Sequence, residues 1–213
     1  MLVIGLTGSI GMGKSAAAKH LARRGVPVCD ADAQVHRLYE GEAVPAIAAA
    51  FPKAVRDGKV DRASLAHEVA GSPQKLKALE NIMHPMVVKA EIDFLRAEEK
   101  RGAELAVLEI PLLFETGADS RVDLTVVVSA PEAVQKARVL ARPGMTEAKL
   151  VGLLKRQLSD AQKRARADFV VDTGTTLADM QAQIDTTGGL RDECNSNPSR
   201  RAAPTALWTP EQR

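Results

Sequence analysis

The stretch Gly8-Ser9-Ile10-Gly11-Met12-Gly13-Lys14-Ser15 follows a short apolar run, residues 2–6, and precedes a helical pattern that ends at Gly25. It matches GxxxxGK[ST], the phosphate loop of nucleotide-binding proteins. The glycines let the backbone turn tightly, so that successive N–H groups point into one concavity, and the helix adds its positive N-terminal end. The stretch therefore predicts a site for nucleotide phosphates.

The motif assigns a role to each part of this loop. Lys14 is expected to reach the β- and γ-phosphates, and the hydroxyl of Ser15 is expected to bind Mg²⁺. The remaining members are expected to hold phosphate oxygens through backbone N–H groups; they are Gly8, Gly11, Met12, Gly13 and Ala16.

Composition narrows the class of protein. The 213 residues are 45% hydrophobic and 26% charged, which suits one globular α/β domain with insertions. A net charge of +2 and only 3% aromatic residues argue against a nucleic-acid partner. Cys29 and Cys194 form neither a disulfide framework nor a CxxC metal site. Without a long apolar span or a signal peptide we expect a cytoplasmic protein with no membrane contact. The sequence leaves open whether it is a monomer or a homo-oligomer.

Strand and helix patterns alternate along most of the chain. Alternation of this kind favours a parallel, doubly wound sheet, here a P-loop NTPase-like three-layer α/β fold with five strands. The predicted helices after the third strand lie at about 131–141 and 147–166. The predicted strands are residues 2–6, 26–29, 105–110, 124–128 and 169–171.

Residues 31–102 break this alternation, because helical patterns dominate and no convincing strand is present. Asp61 and Ser72 are suited to cap helices there. A long helix is predicted over residues 75–101, with a break or kink at His84-Pro85. The sequence thus predicts a helical insertion between the second and third strands. Residues 186–213 lack periodicity and are predicted to be a disordered tail.

Two carboxylates, Asp30 and Asp32, come at the end of the second predicted strand. Ligands of open α/β sheets bind at the carboxyl ends of the strands, so these side chains are expected to face the phosphates. A carboxylate there accepts the proton of a substrate hydroxyl during phosphoryl transfer to an alcohol. The alternative is that one of the two caps the following helix.

From here the chain resembles the dephospho-coenzyme A kinase family over roughly residues 1–185. The resemblance is carried by the phosphate loop, by Asp30-Ala31-Asp32 with Arg37, and by motifs that follow in the family's order and spacing. Those later motifs are His84-Pro85, Pro111-Leu112-Leu113-Phe114-Glu115, Arg138 with Arg142, Arg156-Gln157 and Ala167-Asp168-Phe169.

The resemblance implies that ATP phosphorylates the ribose 3′-hydroxyl of dephospho-coenzyme A, the last step of coenzyme A biosynthesis. It also implies three parts: a core of residues 1–30, 103–135 and 167–185, a helical acceptor-binding domain of residues 31–102, and a lid of residues 136–166. The basic helices on either side of Arg142-Pro143-Gly144 suit such a mobile lid.

The resemblance also implies roles for single residues. Asp32 is the expected general base, Lys14 is expected to neutralise the transferring phosphate, and Arg142 is expected to contact ATP from the lid, with Arg138 sharing that task or lying in solvent. The residues expected near the acceptor are Thr7, Asp30, Asp32, Arg37, His84, Pro111, Leu112 and Leu113.

Alternatives remain for several of these positions. His84 is either an acceptor contact or a structural residue at a helix break, and the two leucines form either an apolar wall or ordinary core. Glu109, at the end of the third strand, is a weak candidate for holding a magnesium-bound water. Ala16 stands where the family usually has threonine, which removes one hydroxyl near the α-phosphate.

Rival functions are another small-molecule kinase, of the nucleoside or shikimate type, and a nucleotide-hydrolysing switch. An NKxD base-reading motif or a transporter ATPase motif would favour the switch, and the sequence contains neither. A non-catalytic binding module is disfavoured because Lys14, Ser15 and Asp32 occur together.

Overall fold

The computed structural model of the chain describes residues 1–186. The described chain divides into two compact units, one of Met1–Val28 with the chain from Glu98 onward and the other of Cys29–Ala97. The predicted disorder of the tail falls, from residue 187 on, outside the described residues.

The described chain contains seven strands, β1 to β7, and nine α-helices, α1 to α9, each set numbered in chain order. The strands are β1 (Leu2–Thr7), β2 (Val28–Asp30), β3 (Val55–Arg56), β4 (Lys59–Val60), β5 (Leu105–Glu109), β6 (Leu124–Ser129) and β7 (Phe169–Asp172). The helices are α1 (Lys14–Arg23), α2 (Ala31–Tyr39), α3 (Val44–Ala50), α4 (Arg62–Val69), α5 (Pro73–Lys100), α6 (Glu132–Leu140), α7 (Glu147–Leu154), α8 (Asp160–Arg166) and α9 (Leu177–Thr186).

The main sheet has five parallel strands in the order β2-β5-β1-β6-β7, which confirms the predicted fold class. In the centre of the sheet β1 pairs with β5 and with β6, so that Leu6 lies opposite Glu109 on one side and Val126 on the other. All six residues of β6 are buried, as expected of a strand covered on both faces. The register places the ends of β1 and β5 side by side.

Side chains alternate between the two faces of this sheet. On one face Ile4, Leu6 and Val128 pack with buried residues of α1 and α9. On the other face a Cβ placed on Gly5 would lie within 2.9 Å of Leu113 and 3.1 Å of Val122. The segment after β5 therefore packs directly against the backbone of β1.

The unit of Cys29–Ala97 has a hydrophobic cluster of its own, built around Ile47, Phe51, Leu65 and Met83. Its helices agree with the predicted helical insertion, but the prediction that it contains no strand is wrong. The antiparallel pair β3–β4 turns at Asp57 (φ 48°) and Gly58 (φ 72°). Two consecutive left-handed residues are what a tight two-residue hairpin requires, and Asp-Gly supplies them readily.

The predicted caps are confirmed, since Asp61 Oδ1 accepts from the N–H of Ser64 at 2.6 Å and Ser72 Oγ accepts from the N–H of Lys75 at 3.3 Å. The predicted start of a new segment at Pro85 is wrong, because α5 continues through this proline, and the alternative of a kink stays a prediction. Met83, Glu91 and Leu95 are buried at helical spacing, whereas Pro85 is exposed. Burial of one face holds the helix together although the proline lacks an N–H.

The predicted helix over 147–166 is two helices, α7 and α8. Ser159 starts α8 with a capping box that involves Gln162, which explains the interruption. No helix was predicted at the position of α9, whose Met180 and Ile184 are buried against the sheet. None of the helices in residues 1–186 is long and apolar enough to span a membrane.

Candidate active site

The phosphate loop joins β1 to α1 through left-handed glycines. Gly11 has φ 80° and Gly13 has φ 86°, conformations that side-chain-bearing residues rarely adopt. Gly13 is also the N-cap of α1 and contributes no side-chain hydrogen bond to the first turn. No side chain caps the N–H groups of that turn, which together with the positive end of the helix dipole form a suitable site for an anion.

Neighbouring elements hold the loop in place from both sides. Gln135 Nε2 donates to the Ile10 carbonyl at 2.8 Å, and the Ile10 N–H donates to Gln157 Oε1 at 3.2 Å. Thr173 Oγ1 donates to the Met12 carbonyl at 2.7 Å. A Cβ on Gly13 would lie 3.0 Å from that Thr173 oxygen. The loop is thus fixed before any ligand arrives, which lowers the entropy lost on binding.

Lys14 pairs with Glu109, with 2.5 Å between Nζ and Oε1. The two side chains are 13% and 6% exposed, so the pair is largely shielded from water. Glu109 lies beside Leu6 in the strand register, which brings its carboxylate to the start of the loop. The ammonium that is expected to meet phosphate is neutralised here by a carboxylate of the same unit.

The loop's own oxygens fit a nucleotide with its metal ion. Ser9 Oγ is buried and makes no hydrogen bond within the described chain. Ser15 is exposed in the first turn of α1, where its hydroxyl is available to a ligand. Mg²⁺ takes oxygen ligands and commonly keeps only one or two from protein, with phosphates and water supplying the rest. Residues 1–186 contain no group of three or more His, Cys, Asp or Glu side chains that could hold a metal ion by themselves.

A cavity of about 750 Å³ borders the loop. Ser9 and Met12 contribute to its wall together with the start of α6, the segment between α7 and α8, and β7. It offers room for a ligand beside the phosphate-binding backbone.

The corner after β5 is organised by Thr7. This threonine is fully buried, and its Oγ1 donates to the Pro111 carbonyl at 3.1 Å. Leu113 is 0% exposed and packs on Gly5, so that its side chain is part of the core, whereas Leu112 is 37% exposed. Of the two leucines, Leu112 is the one placed to form an apolar wall, and Leu113 fits the core alternative.

The two arginines of the predicted lid differ in their contacts. Arg138, on α6, donates to the Thr173 carbonyl at 2.6 Å and to Thr173 Oγ1 at 3.3 Å. Because Thr173 also bonds the Met12 carbonyl, Arg138 lies close to the phosphate loop. Arg142 is exposed after α6, just before Gly144 (φ 72°). The structure thus ties the first arginine to the loop's support and leaves the second in solvent.

Asp30 and Asp32 have different environments within the other unit. Asp30 is the N-cap of α2 and accepts through Oδ1 from the N–H groups of Asp32 (2.9 Å) and Ala33 (3.2 Å). Asp32 lies in the first turn with an exposed side chain. The capping alternative therefore holds for Asp30, whereas the Asp32 carboxylate is exposed.

Three further residues of that unit complete the description. Arg37 is exposed on α2, and His84 is exposed in the middle of α5 and not at a helix break. Cys29, next to Asp30, is buried, and this burial raises the pKa of its thiol. A thiol of this kind is a packing residue and not a nucleophile.

Sequence reasoning missed several contacts that hold the site. Lys163 in α8 is fully buried and pairs with Glu115, while Gln157 and Thr173 bond the loop directly. Gln157 and Glu115 belong to the motifs Arg156-Gln157 and Pro111-Leu112-Leu113-Phe114-Glu115, which was the signal available for them. Lys163 gave no signal, because a lysine in the run Lys163-Arg164-Ala165-Arg166 is typical of a solvated helix face.

Comparison with known proteins places this site in a family. The family model described as dephospho-CoA kinase matches residues 2–179. A dephospho-CoA kinase of Brucella abortus is 55% identical over 184 residues, which cover 86% of this chain and 92% of that protein.

Solved structures agree with this. A Thermus thermophilus protein is 37% identical with a TM-score of 0.75, covering 87% of this chain and 95% of the other. A dephospho-CoA kinase from Campylobacter jejuni, 21% identical with a TM-score of 0.61, covers 90% of this chain and 96% of its own and shares the fold. With its phosphate loop, its sheet order and these matches, the chain belongs to the dephospho-CoA kinase family.

Proposed function

We propose that this chain performs the reaction of its family by moving the γ-phosphoryl group of ATP to the ribose 3′-hydroxyl of dephospho-coenzyme A. In this proposal the phosphates and Mg²⁺ bind on the phosphate loop and Asp32 is the general base. The family assignment carries the reaction class, a transferase step that gives coenzyme A and ADP. The cytoplasmic location expected from the sequence belongs to the same proposal.

Donor binding is supported by the geometry of the loop. Backbone N–H groups at the start of α1 suit phosphate oxygens, and Gln135 and Gln157 hold the preceding loop at Ile10. Lys14 would leave Glu109 to bind the β- and γ-phosphates, and the Ser15 hydroxyl would hold the metal ion. Bound Mg²⁺ would neutralise charge on the transferring group. Arg142, exposed beside Gly144, is free to add a bidentate contact to phosphate.

Acceptor activation is supported by the split between the two aspartates. Asp30 is occupied as a helix cap, whereas Asp32 presents an exposed carboxylate that is able to orient and deprotonate a hydroxyl. The transition state of such transfers is loose, so positioning of the hydroxyl matters more than the basicity of the carboxylate. Arg37 and His84 are exposed in the same unit and are proposed to contact the acceptor.

An acceptor panel tests this function. The full chain is incubated with ATP and Mg²⁺ and with dephospho-coenzyme A, adenosine, other nucleosides or shikimate, and the phosphate position in each product is determined. We expect phosphorylation at the ribose 3′ position of dephospho-coenzyme A. Preferred phosphorylation of a nucleoside or of shikimate, or ATP hydrolysis that needs no acceptor, would overturn the proposal.

A further inference from the structure

A fully buried lysine lies in α8 of the unit that carries the phosphate loop. Lys163 is 0% exposed, although its neighbours Arg164 and Arg166 are exposed. A buried ammonium is strongly unfavourable unless it is paired and hydrogen-bonded. Its partners therefore show what the position is used for.

Lys163 Nζ has two partners on the segment after β5. It lies 2.9 Å from Glu115 Oε1 and donates to the Pro111 carbonyl at 3.1 Å. That carbonyl also accepts from Thr7 Oγ1 at 3.1 Å. Two donors from different elements thus fix the orientation of one peptide group, which follows the strand that ends in Glu109.

The carboxylate of Glu115 extends the network toward the loop. Glu115 Oε1 also accepts from the N–H of Leu158 at 2.8 Å. Leu158 is the next residue after Gln157, whose side chain accepts from the Ile10 N–H of the loop. The Lys163–Glu115 pair therefore contacts the Pro111 carbonyl and also the Leu158 N–H, next to Gln157, which bonds the phosphate loop.

Contacts at both ends of α8 fix the position of this helix. Arg166 pairs with Asp119 at 2.9 Å, and its guanidinium carbon lies 4.5 Å from the centroid of the Phe114 ring. At the start of α8, Asp160 Oδ2 accepts from Ser129 Oγ at 2.8 Å. The helix is anchored at both ends, so that the buried ammonium is held between the two elements it joins.

We propose that Lys163, held by Glu115, is a positioning residue for phosphoryl transfer, which sets the Pro111 corner and the Gln157 support of the phosphate loop. This inference rests on the proposed function. Lys163 touches no reacting atom and acts through the backbone and side chains that it orients. Small displacements of such groups reduce turnover by factors of up to about 100.

The test separates positioning from stability. Lys163→Met removes the ammonium and leaves the largely shielded Glu115 carboxylate without its cation, so both kcat and the midpoint of thermal unfolding should fall. The double variant Lys163→Met/Glu115→Gln removes both charges and should recover the unfolding midpoint. A positioning role predicts that kcat stays about 10- to 100-fold low in the double variant, because the Pro111 carbonyl has lost its second donor. In the double variant the dissociation constant for ADP should stay within about threefold, because the amide oxygen introduced at position 115 still accepts from the N–H of Leu158 and keeps Gln157 beside the loop.

Lys136→Met is the matched control. Lys136 forms an ion pair of 2.7 Å with Glu147 in the same unit, but both side chains are more than half exposed. Its kcat should stay within about twofold of the wild type, since exposed pairs contribute little. Should Lys163→Met fail to fold, the double variant alone is compared with the wild type, because it lacks the Lys163 donor to Pro111 and leaves no buried charge without its partner.

A double variant whose kcat returns to within about threefold of the wild type would overturn the inference and leave Lys163 a stabilising residue only. The wild-type acceptor panel is read independently of these ratios. If the wild type prefers another acceptor, the proposed function fails, while the ratio of variant to wild type on that acceptor still decides the role of Lys163.

Discussion

Lys14 of the phosphate loop is paired with Glu109 at the end of the neighbouring strand, with 2.5 Å between ammonium and carboxylate. The same ammonium is expected to meet the phosphates of ATP. We therefore expect Glu109 and nucleotide phosphate to compete for this one cation. Because the pair is largely buried, nucleotide binding through Lys14 would require exchange of one anion for the other.

Glu109→Gln should therefore tighten nucleotide binding measured without Mg²⁺. Hydrogen bonds to charged groups are worth about 1.5–3 kcal/mol, so loss of the competing charge should lower the dissociation constant by about tenfold. With Mg²⁺ present, turnover should fall if Glu109 holds a metal-bound water. Titration calorimetry with and without metal measures the first effect, and Glu147→Gln, an exposed glutamate, is the control. Weaker binding without metal would show that Glu109 does not compete for Lys14.

Lys14→Met should abolish turnover and also destabilise the fold. It leaves the Glu109 carboxylate buried without its cation, a change that costs about 3–5 kcal/mol for a buried pair. The double variant Lys14→Met/Glu109→Gln should recover most of that stability and none of the activity. Chemical denaturation and steady-state kinetics check the two parts. Equal stability of the single and double variants would contradict the expected burial penalty.

The sequence predicted the sheet because its signals are local and regular. Short apolar runs followed by helical patterns predict the five parallel strands that the structure contains, and the spacing of the glycines predicts the phosphate loop. The hairpin at Asp57-Gly58 was missed although Asp-Gly is a strong turn signal, because the flanking strands have only two residues each. α9 was missed because its few buried residues, Met180 and Ile184, gave no clear periodicity.

The site was predictable only in its motif-bearing parts. Lys14 and Ser15 follow from the loop motif, whereas the occupation of Lys14 by Glu109 depends on the strand register, which sequence spacing does not reveal. Pro85 shows the converse, since a strong local rule was overridden by packing along α5. Lys163 is the extreme case, because its burial depends entirely on long-range contacts.

Gly13→Ala should be far more harmful than Gly25→Ala. Both glycines have left-handed φ values, 86° and 83°, so each alanine suffers backbone strain of roughly 1–2 kcal/mol. Only at Gly13 would the new Cβ also press on Thr173, at 3.0 Å, while nothing lies within 4 Å at Gly25. Calorimetric titration with ADP should show lost binding for Gly13→Ala and unchanged binding for Gly25→Ala. Equal affinities would contradict the close contact with Thr173.

Asp61 gives a prediction about pH. Hydrogen bonding from the Ser64 N–H at the start of α4 lowers the pKa of this carboxyl below its ordinary value. A lowered folded-state pKa contributes stability that is present above the unfolded-state pKa, near 4, and is lost as pH falls through the folded-state value. Asp61→Asn keeps an acceptor for the cap without the charge. Its unfolding midpoint should lie below that of the wild type at pH 7, and the difference should shrink as pH falls below the unfolded-state pKa and through the lowered folded-state pKa. A difference that is constant with pH would contradict the ionic contribution.

Substitution of Asp30 should lower stability, whereas substitution of Asp32 should lower turnover. Asp30→Ala removes the cap of α2 and should lower stability by about 1 kcal/mol. Asp32→Asn keeps shape and polarity at an exposed position, so that the unfolding midpoint and the affinity for ADP should be unchanged. If Asp32 is the base, its turnover should fall by about 100-fold or more, the usual contribution of general-base catalysis. Steady-state kinetics with dephospho-coenzyme A, thermal unfolding and ADP titration on both variants make the comparison. Turnover of Asp32→Asn within about threefold of the wild type would remove Asp32 from the role of base and leave positioning of the hydroxyl to other groups.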